Sequence, residues 1–223
     1  MTTEKSDPPS CILIVASDHR LNTEVIEKVK NTLNLCNLLF SRDGRDWQNE
    51  ISQMDGSFVL NFLSPCILRG TILKRKTINF HPAPPQYPGR GGASYALFGG
   101  VETFGATAHE MTERTDAGNI LAVKRFPIEL NETCDVLFRR AEDHCLALLH
   151  DMVEHISAHH ALPPPCGESW SGKAVTRKEF QKWLVLDPDD KEAFEKKILA
   201  AKHPDYSGPY VVIHGHRFSL NEE

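Results

Sequence analysis

Apolar positions along the chain follow two periods. Cys11–Ser17, CILIVAS, is a continuous apolar run of the kind found in a strand covered on both faces. Leu21, Val25, Val29 and Leu33 then recur at helical spacing. Asn37–Phe40 (NLLF), Ser57–Leu63 (SFVLNFL) and Lys76–Phe80 (KTINF) predict three further strands. Ala93–Gly100 (ASYALFGG) predicts a short helix stopped by glycines. Phe104–Met111 and Asn119–Ile128 predict two more strands, separated by the polar turn Thr112–Gly118 (TERTDAG). Thr133 stands as the N-cap of a long helix with Leu137, Ala141, Cys145, Leu148, Met152 and Ile156 along one face.

Strands alternating with helices predict an α/β domain on a largely parallel sheet. In such sheets a ligand sits beyond the carboxyl ends of the strands. After His160 the character changes. Ala161–Gly172 is rich in proline and glycine and predicts a surface path. Thr176–Pro188 and Asp190–Pro204 predict two short amphipathic helices, and Tyr210–Leu220 a β-hairpin turning at His214-Gly215. The expected plan is a flexible tail over 1–10, a core over 11–160 and an extension over 161–223.

Composition narrows the class. The 223 residues carry a formal net charge of -5, which argues against a protein built around nucleic-acid phosphates. No run approaches the ~20 apolar residues a membrane helix needs, and the polar start MTTEKSDPPS lacks a signal-peptide core. A cytoplasmic protein is expected. The six cysteines are spread with no CxxC pair, so free thiols in or near the core are expected rather than a zinc or disulfide framework.

Candidate chemistry lies in Ile78–Gly92, INFHPAPPQYPGRGG. Asn79 and His81, two apart on a strand, point to the same side. An amide N–H can stabilise an oxyanion and an imidazole can move a proton near neutral pH. The loop Pro82–Gly92 combines prolines, which limit the entropy lost on ordering, with glycines, which let backbone approach a ligand. Asp116 precedes Ala117-Gly118 in the turn between two strands, and His109 lies seven residues earlier. Taken singly, each reads sooner as a turn residue or a satisfied core side chain. Together, an Asn, a His and an Asp at one sheet edge suit acyl transfer: one polarises the acyl oxygen, one moves the proton, and one orients the base.

These residues carry a resemblance. Asn79-Phe80-His81-Pro82, the proline-glycine loop through Gly92, Gly105–His109, and Asp116-Ala117-Gly118 followed by Ile120 resemble, in order and spacing, the signature of the folate-dependent formyltransferases. The resemblance spans roughly Cys11–Ile156 and implies a Rossmann-like formyltransferase core with a mostly parallel sheet, extended by short C-terminal helices and a β-hairpin. It implies N10-formyltetrahydrofolate as co-substrate and no metal. Asn79, His81 and Asp116 would be the catalytic set. Leu63, Ser64, Thr112, Glu113, Thr115 and Asp116 would line the folate pocket. His155, His159, His160, His214 and His216 read as surface histidines rather than ligands.

Which amine is formylated follows from the remainder. Methionyl-tRNA formyltransferases carry a further RNA-contacting domain, and only about 60 residues follow His160. Glycinamide ribonucleotide transformylases carry a glycine-rich phosphate loop after the first strand, where this chain reads Ala16–Asn22, ASDHRLN. The tail Phe194–Leu220 is similar to that of the sugar N-formyltransferases. The expected substrate is a dideoxy amino sugar on a nucleoside diphosphate, such as a dTDP-sugar, and a homodimer is expected. Tyr87, Arg90 and Trp170, with Lys74–Lys76, are candidates to hold the nucleotide. Glycinamide ribonucleotide formylation and a non-catalytic folate-binding module are the alternatives.

Overall fold

The computed structural model describes residues 7–42, 48–204, 206 and 208–219. Most of the predicted tail, 1–6, lies outside the described residues. A six-stranded sheet is built from β1 (Ser10–Ala16), β2 (Asn34–Ser41), β3 (Phe58–Phe62), β4 (Lys76–His81), β5 (Thr103–His109) and β6 (Ile120–Pro127), in the order β2-β1-β3-β4-β5-β6. The pairs from β2 to β4 are parallel; β5 and β6 join antiparallel. This is the Rossmann-like architecture expected; the antiparallel β5–β6 pairing follows from the short turn at Thr112–Gly118, too short to cross over and return parallel.

The apolar runs become strands because both sheet faces are covered. On one face, Leu13, Val15, Leu60, Phe62, Ile78 and Phe80 pack against α1 (Asn22–Thr32) and the long α4 (Cys134–His159). On the other, Ile12, Ile14 and Val59 meet Ile51 of α2 (Gln48–Ser52) and Ile72 of a 3-10 turn over Gly70–Lys74. A third cluster joins α3 (Gly92–Gly99) to Phe104, Phe126 and the first turns of α4. Thr133 does stand at the N-cap of α4, but its hydroxyl donates to Asp135 Oδ1 at 2.5 Å and no backbone N–H bonds to it.

Beyond α4 the chain runs over the surface to α5 (Arg177–Trp183), α6 (Lys191–Ala201) and the hairpin of β7 (Tyr210–Ile213) and β8 (His216–Ser219). Thr176 and Glu179 form a reciprocal capping box on α5. Tyr95 and Phe98 of α3 pack against Phe180 and Trp183 of α5, so this segment is fixed to the helix that follows the proline-glycine loop. All six cysteines are free; Cys11, Cys66, Cys134 and Cys145 are buried, whereas Cys36 and Cys166 are exposed rather than core residues.

Candidate active site

The site forms at the carboxyl ends of β3 and β4, where β5 runs alongside in the opposite direction. Register places Asn61 of β3 and His109 of β5 on either side of Asn79. Their side chains form a row across three strands. Asn61 Nδ2 donates to Asn79 Oδ1 at 2.8 Å, and Asn79 Nδ2 meets His109 Nε2 at 3.0 Å. His109 Nδ1 lies 2.8 Å from the Glu110 carbonyl. A carbonyl only accepts, so Nδ1 carries a hydrogen, and Nε2 stands within reach of both Asn79 Nδ2 and Asp116 Oδ1.

His81, two residues further along β4, places Nε2 at 3.0 Å from the Tyr87 carbonyl and Nδ1 at 3.4 Å from Asp116 Oδ2. Asp116 Oδ1 lies 3.3 Å from His109 Nε2. One carboxylate thus stands between two imidazoles, and its Oδ2 also accepts the Gly89 N–H at 2.7 Å. The proline-glycine loop delivers both the Gly89 amide and the Tyr87 carbonyl. Asp116 adopts φ 45°, a left-handed conformation that Asp tolerates better than most side chains. Gly118, two residues on, is required sterically: a Cβ there would fall 1.9 Å from the Glu110 carbonyl oxygen.

His81, His109 and Asp116 are all buried. Burial alone would raise the Asp116 carboxyl, but the facing imidazoles of His81 and His109 and the Gly89 N–H outweigh it and hold the group well below the usual carboxylate range. The site therefore keeps a buried anion, two proton-carrying rings and a fixed amide within hydrogen-bonding reach. That set can stabilise an oxyanion and relay a proton.

The predicted trio is brought together. Sequence reasoning left His109 open between core and site, and did not single out Asn61, whose signal was a lone amide inside the apolar run Phe58–Phe62. Leu63, at φ 51°, and Ser64, which accepts the Cys66 N–H, lie directly beyond β3 at the same sheet edge. Thr112, Glu113 and Thr115 occupy the exposed turn leading into Asp116. The Tyr87 ring packs on Phe104, so its backbone carbonyl rather than its ring reaches the site. Arg90 is exposed, its N–H bonded to Val175.

Trp170 stands against both imidazoles, its ring centroid 4.9 Å from that of His109 and 5.8 Å from that of His81. Lys74–Lys76, by contrast, lies away from the site. Lys76 opens β4, five residues or ~16 Å from His81, and donates to the His160 carbonyl at 2.7 Å; Arg75 donates to the carbonyls of Ser52, Met54 and Gly56.

Residues 58–153 match the family model for formyl transferase. Over 181 residues the chain is 28% identical to a methionyl-tRNA formyltransferase of Lactobacillus delbrueckii subsp. bulgaricus, covering 78% of this chain and 56% of that protein. The chain thus spans just over half the length of that curated relative. Its fold is similar to that of a sugar N-formyltransferase from a Shewanella species, with a TM-score of 0.74 at 18% identity, covering 96% of this chain and 97% of the other. It is also similar to an N-formyltransferase from Helicobacter canadensis solved with folinic acid and dTDP-3-aminofucose, with a TM-score of 0.65 at 15% identity over 92% and 85% of the two chains.

Proposed function

We propose that this chain, whose residues 58–153 match the family model for formyl transferase, moves a formyl group from N10-formyltetrahydrofolate to the amine of a nucleotide-linked amino sugar. The observation that carries the formyl-transfer reading is the convergence of Asn79, His81 and Asp116 in one buried hydrogen-bonded network at the carboxyl end of β4. The folate is a co-substrate, and the loop beyond β3 with the turn Thr112–Asp116 is the wall it would meet.

The chain's residues divide the work. The acceptor amine attacks the formyl carbon. Asn79 Nδ2 and His81 stabilise the oxyanion of the tetrahedral adduct. His81 passes a proton to N10 of the folate as the C–N bond breaks. Asp116 holds the imidazole in place, compensates its charge and receives the amine proton, directly or through water.

Three observations favour a sugar acceptor over a glycinamide ribonucleotide. The loop after β1 lacks a glycine, and three of its N–H groups, those of Ser17, Leu21 and Asn22, are already bonded to Ser41 O, His19 Nδ1 and His19 O. Arg20 in the same loop is bonded to Glu142 and Asp143 of α4. The likeness to the Shewanella sugar N-formyltransferase runs through 96% of this chain. The test is a screen of nucleotide-linked amino sugars, glycinamide ribonucleotide and methionyl-tRNA with N10-formyltetrahydrofolate, read by mass for the gain of a formyl group. Formylation of the ribonucleotide or of the tRNA alone would overturn the sugar assignment.

A further inference from the structure

The segment between α4 and α5 crosses the site and is tied down along its length. The Cys166 N–H bonds to the Ile120 carbonyl at 2.9 Å, and Glu168 pairs with Arg125 of β6 through both carboxylate oxygens, at 2.8 and 2.5 Å. The Ser171 N–H bonds to the Pro85 carbonyl at 3.0 Å. Val175 exchanges both backbone bonds with the proline-glycine loop, its N–H to Pro88 and its carbonyl from Arg90, each at 2.9 Å. Trp170 stands midway along this strap. Its Nε1–H donates to the Gly118 carbonyl at 2.8 Å, two residues from Asp116. That single bond fixes the indole, whose plane lies 88° from the His109 ring and 66° from the His81 ring.

Perpendicular aromatic contacts of this kind favour one relative orientation of the rings. No other aromatic ring among the described residues contacts both imidazoles. We infer that Trp170 is a positioning residue of this site: the strap carries its indole into place as a fixed wall that holds His81 and His109 in line with Asp116 and keeps bulk water off that side. The inference rests on the formyl-transfer reading for its consequence in catalysis, but the wall itself is a property of the folded chain. A wall that excludes water strengthens each interaction within the network and limits hydrolysis of an activated formyl group.

Two measurements on the full chain test it. The first is peptide mapping of diethyl pyrocarbonate modification at His81 and His109, which needs no substrate. Trp170→Ala is expected to raise the labelling rate of both by about tenfold, and Trp170→Phe, which keeps a ring but loses the N–H, by much less. The second is steady-state kinetics. Trp170→Ala is expected to lower kcat about tenfold with both KM values within about twofold, as a misplaced reacting group does, and Trp170→Phe to recover most of that loss. A thermal melt of each variant excludes global unfolding as the cause. Unchanged labelling overturns the wall. A raised KM for the nucleotide sugar with kcat intact overturns the positioning role and makes Trp170 an acceptor-binding surface. If the wild-type chain formylates no amine, the reading of function fails, while the labelling contrast still decides whether Trp170 shields the two rings.

Discussion

Asn61 and Asn79, paired in register on adjacent parallel strands, are joined side chain to side chain by a 2.8 Å hydrogen bond. The bond fixes the Asn79 amide: with Oδ1 taken by Asn61, Nδ2 faces His109 and the site. Asn61→Leu would keep the volume and remove the donor. The expected result is about a tenfold fall in kcat with KM little changed, and a loss of about 1–3 kcal/mol in stability from the orphaned Asn79 oxygen. Urea denaturation and steady-state kinetics on one preparation check both parts.

Removing a member of the trio should act on the chemical step. Asn79→Ala and His81→Ala are each expected to lower kcat by about 10²–10³, the scale for losing one oxyanion donor or one proton-transfer group, with folate binding retained. Isothermal titration with a folate analogue and single-turnover kinetics separate the two. Asn79→Ala with unchanged turnover would remove Asn79 from the mechanism.

Much of this site was legible because its residues are local in sequence. Asn79 and His81 are two apart on one strand, and Asp116 sits in the turn between β5 and β6. The apolar runs located the central strands because both sheet faces are covered there. What the sequence hid depends on register and on distant partners. Asn61 matters only because β3 lies beside β4, and Trp170, named as a candidate for the nucleotide, meets the two imidazoles only because a proline-rich segment doubles back over the sheet edge. The same blindness misplaced Lys74–Lys76, near His81 in sequence but at the opposite end of β4.

The depressed Asp116 carboxyl has a pH consequence whose sign is fixed. A folded-state value below the unfolded one stabilises the fold above the unfolded value, about 3.9, and that stabilisation is lost as pH falls through the folded value. Asp116→Asn suits the left-handed backbone and retains an acceptor for the Gly89 N–H, so it isolates the charge. Wild type is expected to be more stable than Asp116→Asn at pH 6, with the gap shrinking below about pH 4. Urea midpoints across that range test it; a gap that widens on acidification would contradict the assigned direction.

Thiol reactivity should divide sharply. Burial pushes the Cys11 thiol up to about 12 and raises Cys134 and Cys145 as well, whereas Cys36 and Cys166 are exposed. Cys36 and Cys166 are expected to react with a maleimide within minutes in the native protein, and Cys11 and Cys145 only on unfolding. Timed labelling with intact-mass and peptide analysis reads this directly.

Gly89 links the network to the strap, and a single methyl group there should break both. It adopts φ 87°, its N–H reaches Asp116, and a Cβ would lie 2.3 Å from the backbone of Val175. Gly100, at φ 65° with no atom within 4 Å of such a Cβ, offers the control. Gly100→Ala meets only the conformational penalty, about 1–2 kcal/mol. Gly89→Ala meets that penalty and must also displace backbone, because Val175 has no flexible end to move aside. The chain can relieve the clash only by parting the strap from the loop, which shifts the Gly89 amide away from Asp116 and loosens Trp170. Gly89→Ala is therefore expected to lose activity about 10²-fold while Gly100→Ala stays within about threefold of wild type, and to raise amide exchange at Val175 and Arg90. Exchange measured by mass spectrometry distinguishes this from general destabilisation, since Gly100→Ala should leave those two amides protected. Equal exchange in the two variants would mean that the loop, not the strap contact, sets the geometry of Asp116.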